Sequence, residues 1–249
     1  MRHSMPNSEL IQQRKKGSVL TALLLSRSIL FFLFQGTIAI ALNSWIASQK
    51  YWIIVATAGN LVSISLLYGL YKREGKTYLA IFTINKENWK EDLKLVFSLS
   101  MVGVLLVFLT PYLLSTLLWS EPTEINNILT GSVSPPLTYF LIVVFPVTMA
   151  LAELATYFGY VMPRLATILA RKEIAILVPV LFLSIQHCFL PLVFDIRFII
   201  YRGFMYLPFA LLLGLALWRK PRLLPYFAIL HGFLDLLAVL TTLQVESST

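Results

Sequence analysis

Long uninterrupted runs of apolar residues dominate this chain, and they define its elements. A helix needs about 20 apolar residues to cross the hydrocarbon of a bilayer. Seven stretches approach or meet that length, at roughly 28–47, 51–71, 95–119, 137–160, 174–194, 203–218 and 223–243. The sixth is short, and the fourth runs past the membrane boundary. The pattern predicts an all-α, polytopic transmembrane bundle of about seven spans. It divides the chain into a basic cytoplasmic tail (1–27), a three-span region (28–136), core helices (137–243) and a C-terminal tail (244–249).

Composition narrows the class further. The chain has 249 residues, of which 58% are hydrophobic and 13% charged, whereas soluble domains carry about 25% charged residues. One soluble core of this size cannot hide so much apolar side chain. A soluble enzyme, a disordered chain and a disulfide scaffold are thereby excluded. The single Cys188 excludes an intramolecular disulfide and any cysteine-based zinc or redox motif.

The net charge of +8 reads as topology. Seventeen of the 20 basic residues fall in the N-terminal tail, at the start of the first span (Arg27) or in alternate connections, leaving Lys50, Arg197 and Arg202 on the other side. Basic residues collect on the cytoplasmic face, so the N-terminus is expected inside and the C-terminus outside. The positive charge then calls for anionic lipid as a partner, not nucleic acid. All five tryptophans (Trp45, Trp52, Trp89, Trp119, Trp218) lie near expected span ends, where indole rings prefer to sit. The first apolar run is too long for a cleaved signal peptide, and no small-residue cleavage site follows it, so a retained signal anchor is expected. Residues 72–94, basic and aromatic, are expected along the cytoplasmic interface. Residues 120–136, without a basic residue, are expected as an external loop.

Ionisable groups inside spans are costly and mark function. The fourth span carries Glu153, the fifth His187, and the seventh His231 and Asp235, while the first three carry none at their centres. His3 lies in the polar tail. His231 and Asp235 are four residues apart and share a helix face. A carboxylate beside an imidazole can deprotonate a water, and a second imidazole can stabilise the oxyanion that forms when that water attacks a carbonyl. The same four residues can instead ligate a divalent metal such as zinc. Both arrangements serve hydrolysis. A buried glutamate also has a plainer reading, as a neutral group bonded to a neighbouring helix.

Other polar residues have structural readings. Tyr157 and Tyr160 read as packing, Arg164 as a snorkelling or motif arginine, and Cys188 as a buried inert thiol. Asp195, Arg197 and Arg202 read as a solvated loop cluster. Asn60 and Gln35 read as interhelical hydrogen bonds.

The stretch ELATYFGYVMPRL, from Glu153 to Leu165, resembles the first motif of the CPBP family, the intramembrane CAAX prenyl protease type II and bacteriocin-processing (Abi) proteins. That motif is typically EExxxR followed by Gly-Tyr. The family's FxxxH is similar to Leu183–His187, and its HxxxN or HxxxD to His231–Asp235. The likeness covers about residues 137–243. It implies a bacterial plasma-membrane endopeptidase acting on a membrane-anchored protein or peptide. Glu153 and His187 would activate water, and His231 with Asp235 would form the oxyanion pocket. The cavity is expected to open to the cytoplasm. The mechanism would be metal-dependent or metal-free. Leu154, Phe158 and Leu183 depart from the motifs. The Glu–Arg pair is missing as a pair, which leaves no orphan charge. These departures motivate a second reading, a catalytically silent relative acting in immunity or regulation by binding a partner. A third reading, a transporter or proton relay, is disfavoured by the lack of repeats.

Overall fold

The computed structural model describes residues 7–121 and 124–245. Among these, six helical segments are long and apolar enough to cross a membrane: Lys16–Ala41, Trp45–Arg73, Trp89–Leu118, Pro135–Ile168, Ile196–Arg219 and Pro221–Thr242. The protein is an all-α membrane bundle. The first segment belongs to α1 (Asn7–Ala41). The second combines α2 (Trp45–Ser48), a 3-10 turn and α3 (Trp52–Arg73). The third is α4 (Trp89–Leu118). After it come the short α5 (Glu124–Leu129) and β1 (Gly131–Val133), so part of the expected 120–136 loop is regular structure.

The fourth segment joins α6 (Pro135–Leu154) to α7 (Met162–Ile168) through a π-helical stretch, Ala155–Val161. Then follow α8 (Lys172–Ile185), α9 (Ile196–Phe204), α10 (Leu207–Arg219), α11 (Leu224–Thr242) and β2 (Leu243–Val245). β1 and β2 form a short parallel pair, from Gly131↔Leu243 to Val133↔Val245.

The expected fifth span, 174–194, is not one long helix. α8 has 14 residues, about 21 Å of helix. That is short of the ~30 Å hydrocarbon core. The chain then tightens into a 3-10 turn, Gln186–Cys188, and turns again through an isolated bridge between Phe189 and Leu192. Pro191 cannot donate a backbone hydrogen bond and restricts the residue before it. The freed backbone groups find side-chain partners on α9 and α1, as apolar surroundings require. Arg202 Nε donates to the His187 carbonyl at 3.1 Å, and another nitrogen of the same guanidinium donates to the Leu190 carbonyl. Gln35 grips Leu192 at both its carbonyl (3.0 Å) and its N–H (2.8 Å).

The bundle has two chemically distinct ends. At the basic end, Arg222 Nε lies 2.9 Å from the buried Asp92, and Arg164 pairs with Glu74. At the opposite end lie β1 and β2, and Trp52 donates to the Leu129 carbonyl at 2.8 Å. Leu20, Leu24 and Leu67 share a core with Leu154, Leu183 and Leu213. Within 72–94, Tyr78 is buried and donates to the Leu151 carbonyl, while Leu79, Ile84 and Trp89 stay exposed. Close helix approach needs glycine at two places. A Cβ on Gly59 would meet the Phe31 ring at 2.6 Å, and one on Gly232 would meet the Pro146 carbonyl oxygen at 3.3 Å. The second contact sits beside His231 and lets α11 lie close to α6.

Glu74 gives this end a pH dependence. The Arg164 hydrogen bond, with a further one from Tyr160, holds its carboxyl below the ordinary 4.5. A carboxyl depressed on folding contributes stability above its unfolded pKa and loses it as pH falls through the folded value. Thermal unfolding in detergent should therefore show the wild type losing more melting temperature than Glu74→Gln between pH 5 and pH 3. Equal losses would remove Glu74 from the acid response.

Candidate functional site

Glu153 stands one residue before the end of α6 and is 1% exposed. Directly after it the helix widens into the π-helical stretch, a feature that recurs at functional sites. Its Oε2 accepts from Gln186 Nε2 at 2.6 Å and lies 3.6 Å from the Arg27 guanidinium. Arg27 Nε donates to Gln186 Oε1 at 2.6 Å, and Tyr157 donates to the same oxygen at 3.2 Å. These two donors fix which way the Gln186 amide points. Arg27 also reaches Ser63 Oγ at 3.4 Å and lies over the Phe31 ring. One oxygen of Glu153 is thus held by a fixed polar frame.

The other oxygen faces α11. His231 Nε2 lies 2.9 Å from Glu153 Oε1 and 3.6 Å from Asp235 Oδ2. Beside this pair, His231 Nδ1 and Asp235 Oδ2 have no hydrogen-bond partner. Buried polar atoms are normally satisfied, so these two mark a place suited to a polar guest. His187 is differently held. Its Nδ1 lies 2.9 Å from the Leu183 carbonyl, which accepts only if Nδ1 carries the proton. In the neutral ring this leaves the lone pair on Nε2. The Tyr206 ring packs edge-on against the imidazole at 4.8 Å.

Glu153, His187, His231 and Asp235 all line one cavity of about 480 Å³, together with Arg202 and Tyr206. The four expected site residues, drawn from three separate parts of the chain, are brought together. Most of the remaining wall is apolar, including Trp52, Phe108, Phe145 and Leu237. That volume and character are those of a ligand site.

Several expectations need correction. Arg27 does not sit at the start of the first span. It lies well inside Lys16–Ala41, is fully buried, and belongs to the frame around Glu153. Arg202 is not part of a solvated cluster. It is 5% exposed, while Asp195 and Arg197 pair with each other at 3.1 Å. Tyr157 does more than pack, because it bonds Gln186. The cavity wall includes Leu154, Leu183 and Leu213 and continues along α11 to Thr241. Gln186, one residue before His187, was visible in the sequence but carried no charge to draw attention. Other readings agree with the structure. Cys188 is buried, and its thiol donates to the Ile199 carbonyl at 3.4 Å. Asn60 bonds Thr148 on another helix at 3.2 Å.

The four residues do not fit a metal. Among the described residues no three His, Cys, Asp or Glu side chains are grouped to hold one. Of the two Glu153 oxygens, Oε2 is occupied by an amide N–H beside a guanidinium, and only Oε1 faces His231. His3 lies outside the described residues. The chain matches no protein-family model, no curated protein and no solved structure.

Proposed function

We propose that this chain is an intramembrane endopeptidase of the CPBP type that hydrolyses peptide bonds of membrane-anchored proteins or peptides. The observation that carries the reading is the gathering of Glu153, His187, His231 and Asp235 on one largely apolar cavity. In this proposal, Glu153 takes a proton from a water that also donates to the His187 Nε2 lone pair. The water oxygen forms a bond to the substrate carbonyl carbon. His231, steadied by Asp235, donates to the oxygen that becomes negative. The C–N bond then breaks, and the proton held by Glu153 passes to the leaving amine. Arg27 and Gln186 act as positioning residues that keep the carboxylate ionised and fixed. No step requires a metal.

The same proposal assigns the broken 174–194 segment as a seventh crossing. Its helix begins near the basic end, and Leu192 is bound by Gln35 and Trp45 near the far end of α1. An odd number of crossings puts the termini on opposite faces, with the basic end cytoplasmic, in a bacterial plasma membrane whose anionic lipids meet that end.

A second reading has one specific observation in its favour. Glu153 Oε2 is fully engaged by Gln186 and Arg27, as it would be in a silent relative that keeps the network for stability and binds a partner. One experiment separates the two. Purified protein in lipid vesicles is given a panel of membrane-anchored peptides, and products are read by mass spectrometry. Cleavage by the wild type but not by Glu153→Gln supports the protease. Cleavage by neither, or equally by both, overturns it.

A further inference from the structure

The cavity has a definite mouth. Phe108 on α4 and Leu237 on α11 both line it, yet they are 64% and 55% exposed. Pro111 and Thr241 continue the two walls toward the strand-bearing end. At the basic end the same two walls are tied, because Asp92 on α4 pairs with Arg222 just before α11. α4 and α11 thus form a cleft pinned at the basic end and open in the opposite half. At the bottom of that cleft lie His231 Nδ1 and Asp235 Oδ2, neither with a hydrogen-bond partner, beside the His231–Glu153 pair. An extended peptide has an N–H and a C=O at every residue and satisfies such atoms as it enters. An acyl chain has nothing to offer them.

We infer that the substrate enters sideways through the α4–α11 cleft from the half of the bilayer away from the basic end, as an extended apolar peptide anchored in the outer leaflet. This rests on the proposed protease reading and specifies its substrate. The scissile bond belongs to a chain presented on the non-cytoplasmic side, not to a cytoplasmic tail. The wall suits such a guest: it is apolar where lipid-embedded side chains would pass and polar only where the backbone must be read.

The test reads access and does not depend on catalysis. In a Cys188→Ser background, Ala238→Cys places a thiol on the cavity wall. Sealed right-side-out and inside-out vesicles are treated with a charged, membrane-impermeant maleimide. Modification is expected to be at least about tenfold faster from the face bearing the C-terminus, in line with a site open on one side only. Faster modification from the basic face, or equally slow modification from both, overturns the inference. If Ala238→Cys fails to fold, Thr241→Cys at the mouth gives the same reading. The proposed chemistry stands or falls separately, on the cleavage assay with Glu153→Gln.

Discussion

Glu153→Gln is expected to reduce peptide hydrolysis by about 10²–10⁴-fold, the range over which a positioned general base contributes. The substitution keeps the shape of the side chain and one oxygen. That oxygen can still accept from Gln186, which donates to Oε2 at 2.6 Å in the wild type. The new amide group turns toward His231, whose Nε2 sits 2.9 Å from Oε1, and can donate to it. The bundle should therefore fold. The loss of the carboxylate leaves the Arg27 charge without its counter-ion and should cost about 3–5 kcal/mol, the usual result of removing one member of a buried pair. Activity and stability are to be measured on the same preparation, by product formation in vesicles and by thermal unfolding in detergent. A folded Gln variant with wild-type turnover would show that Glu153 is no base. A protein without turnover in either form, whose cellular phenotype survives the substitution, would point to partner binding.

Arg27→Leu should destabilise the protein by about 3–5 kcal/mol, the usual result of removing one member of a buried charge pair. The side chains of Arg27 and Glu153 are 0% and 2% exposed, so the carboxylate left behind stays buried without its counter-ion. Gln186 Oε1 would also lose its 2.6 Å donor and keep only Tyr157. Arg27→Lys should lie between, since an ammonium restores the charge but not the guanidinium fork. Arg27→Leu combined with Glu153→Leu should be more stable than Arg27→Leu alone, because no orphan ion remains. Thermal or denaturant unfolding in detergent decides this. If the double variant is no better than the single, the two charges are not coupled, and the frame around Glu153 has been misassigned.

The two charged partners of this site were unequally legible. Glu153 stood out because carboxylates are scarce in apolar spans, and the family-like motif around it pointed the same way. Arg27 was hidden by its neighbourhood. It follows a basic tail, and an arginine near the start of an apolar run reads as a topology signal. Only the actual extent of the span, from Lys16, places it in the interior. From α1, far away in the sequence, its guanidinium comes within 3.6 Å of Glu153, a contact that no local pattern shows.

The sequence by itself determined that this is a helical membrane protein, because apolar runs of spanning length have few other stable solutions. It also singled out Glu153, His187, His231 and Asp235, because an ionisable group inside a span is too costly to be incidental. It did not determine how the 174–194 stretch is shaped, since an apolar run gives no sign of where its helix stops. That depends on Arg202 from the next helix and Gln35 from α1, 157 residues away, which satisfy the freed backbone. Nor did it determine that Asp92 and Arg222 tie α4 to the start of α11 at one end, a contact between residues 130 positions apart. Burial cost can be read one residue at a time, whereas the shape of a cleft exists only once the helices have packed.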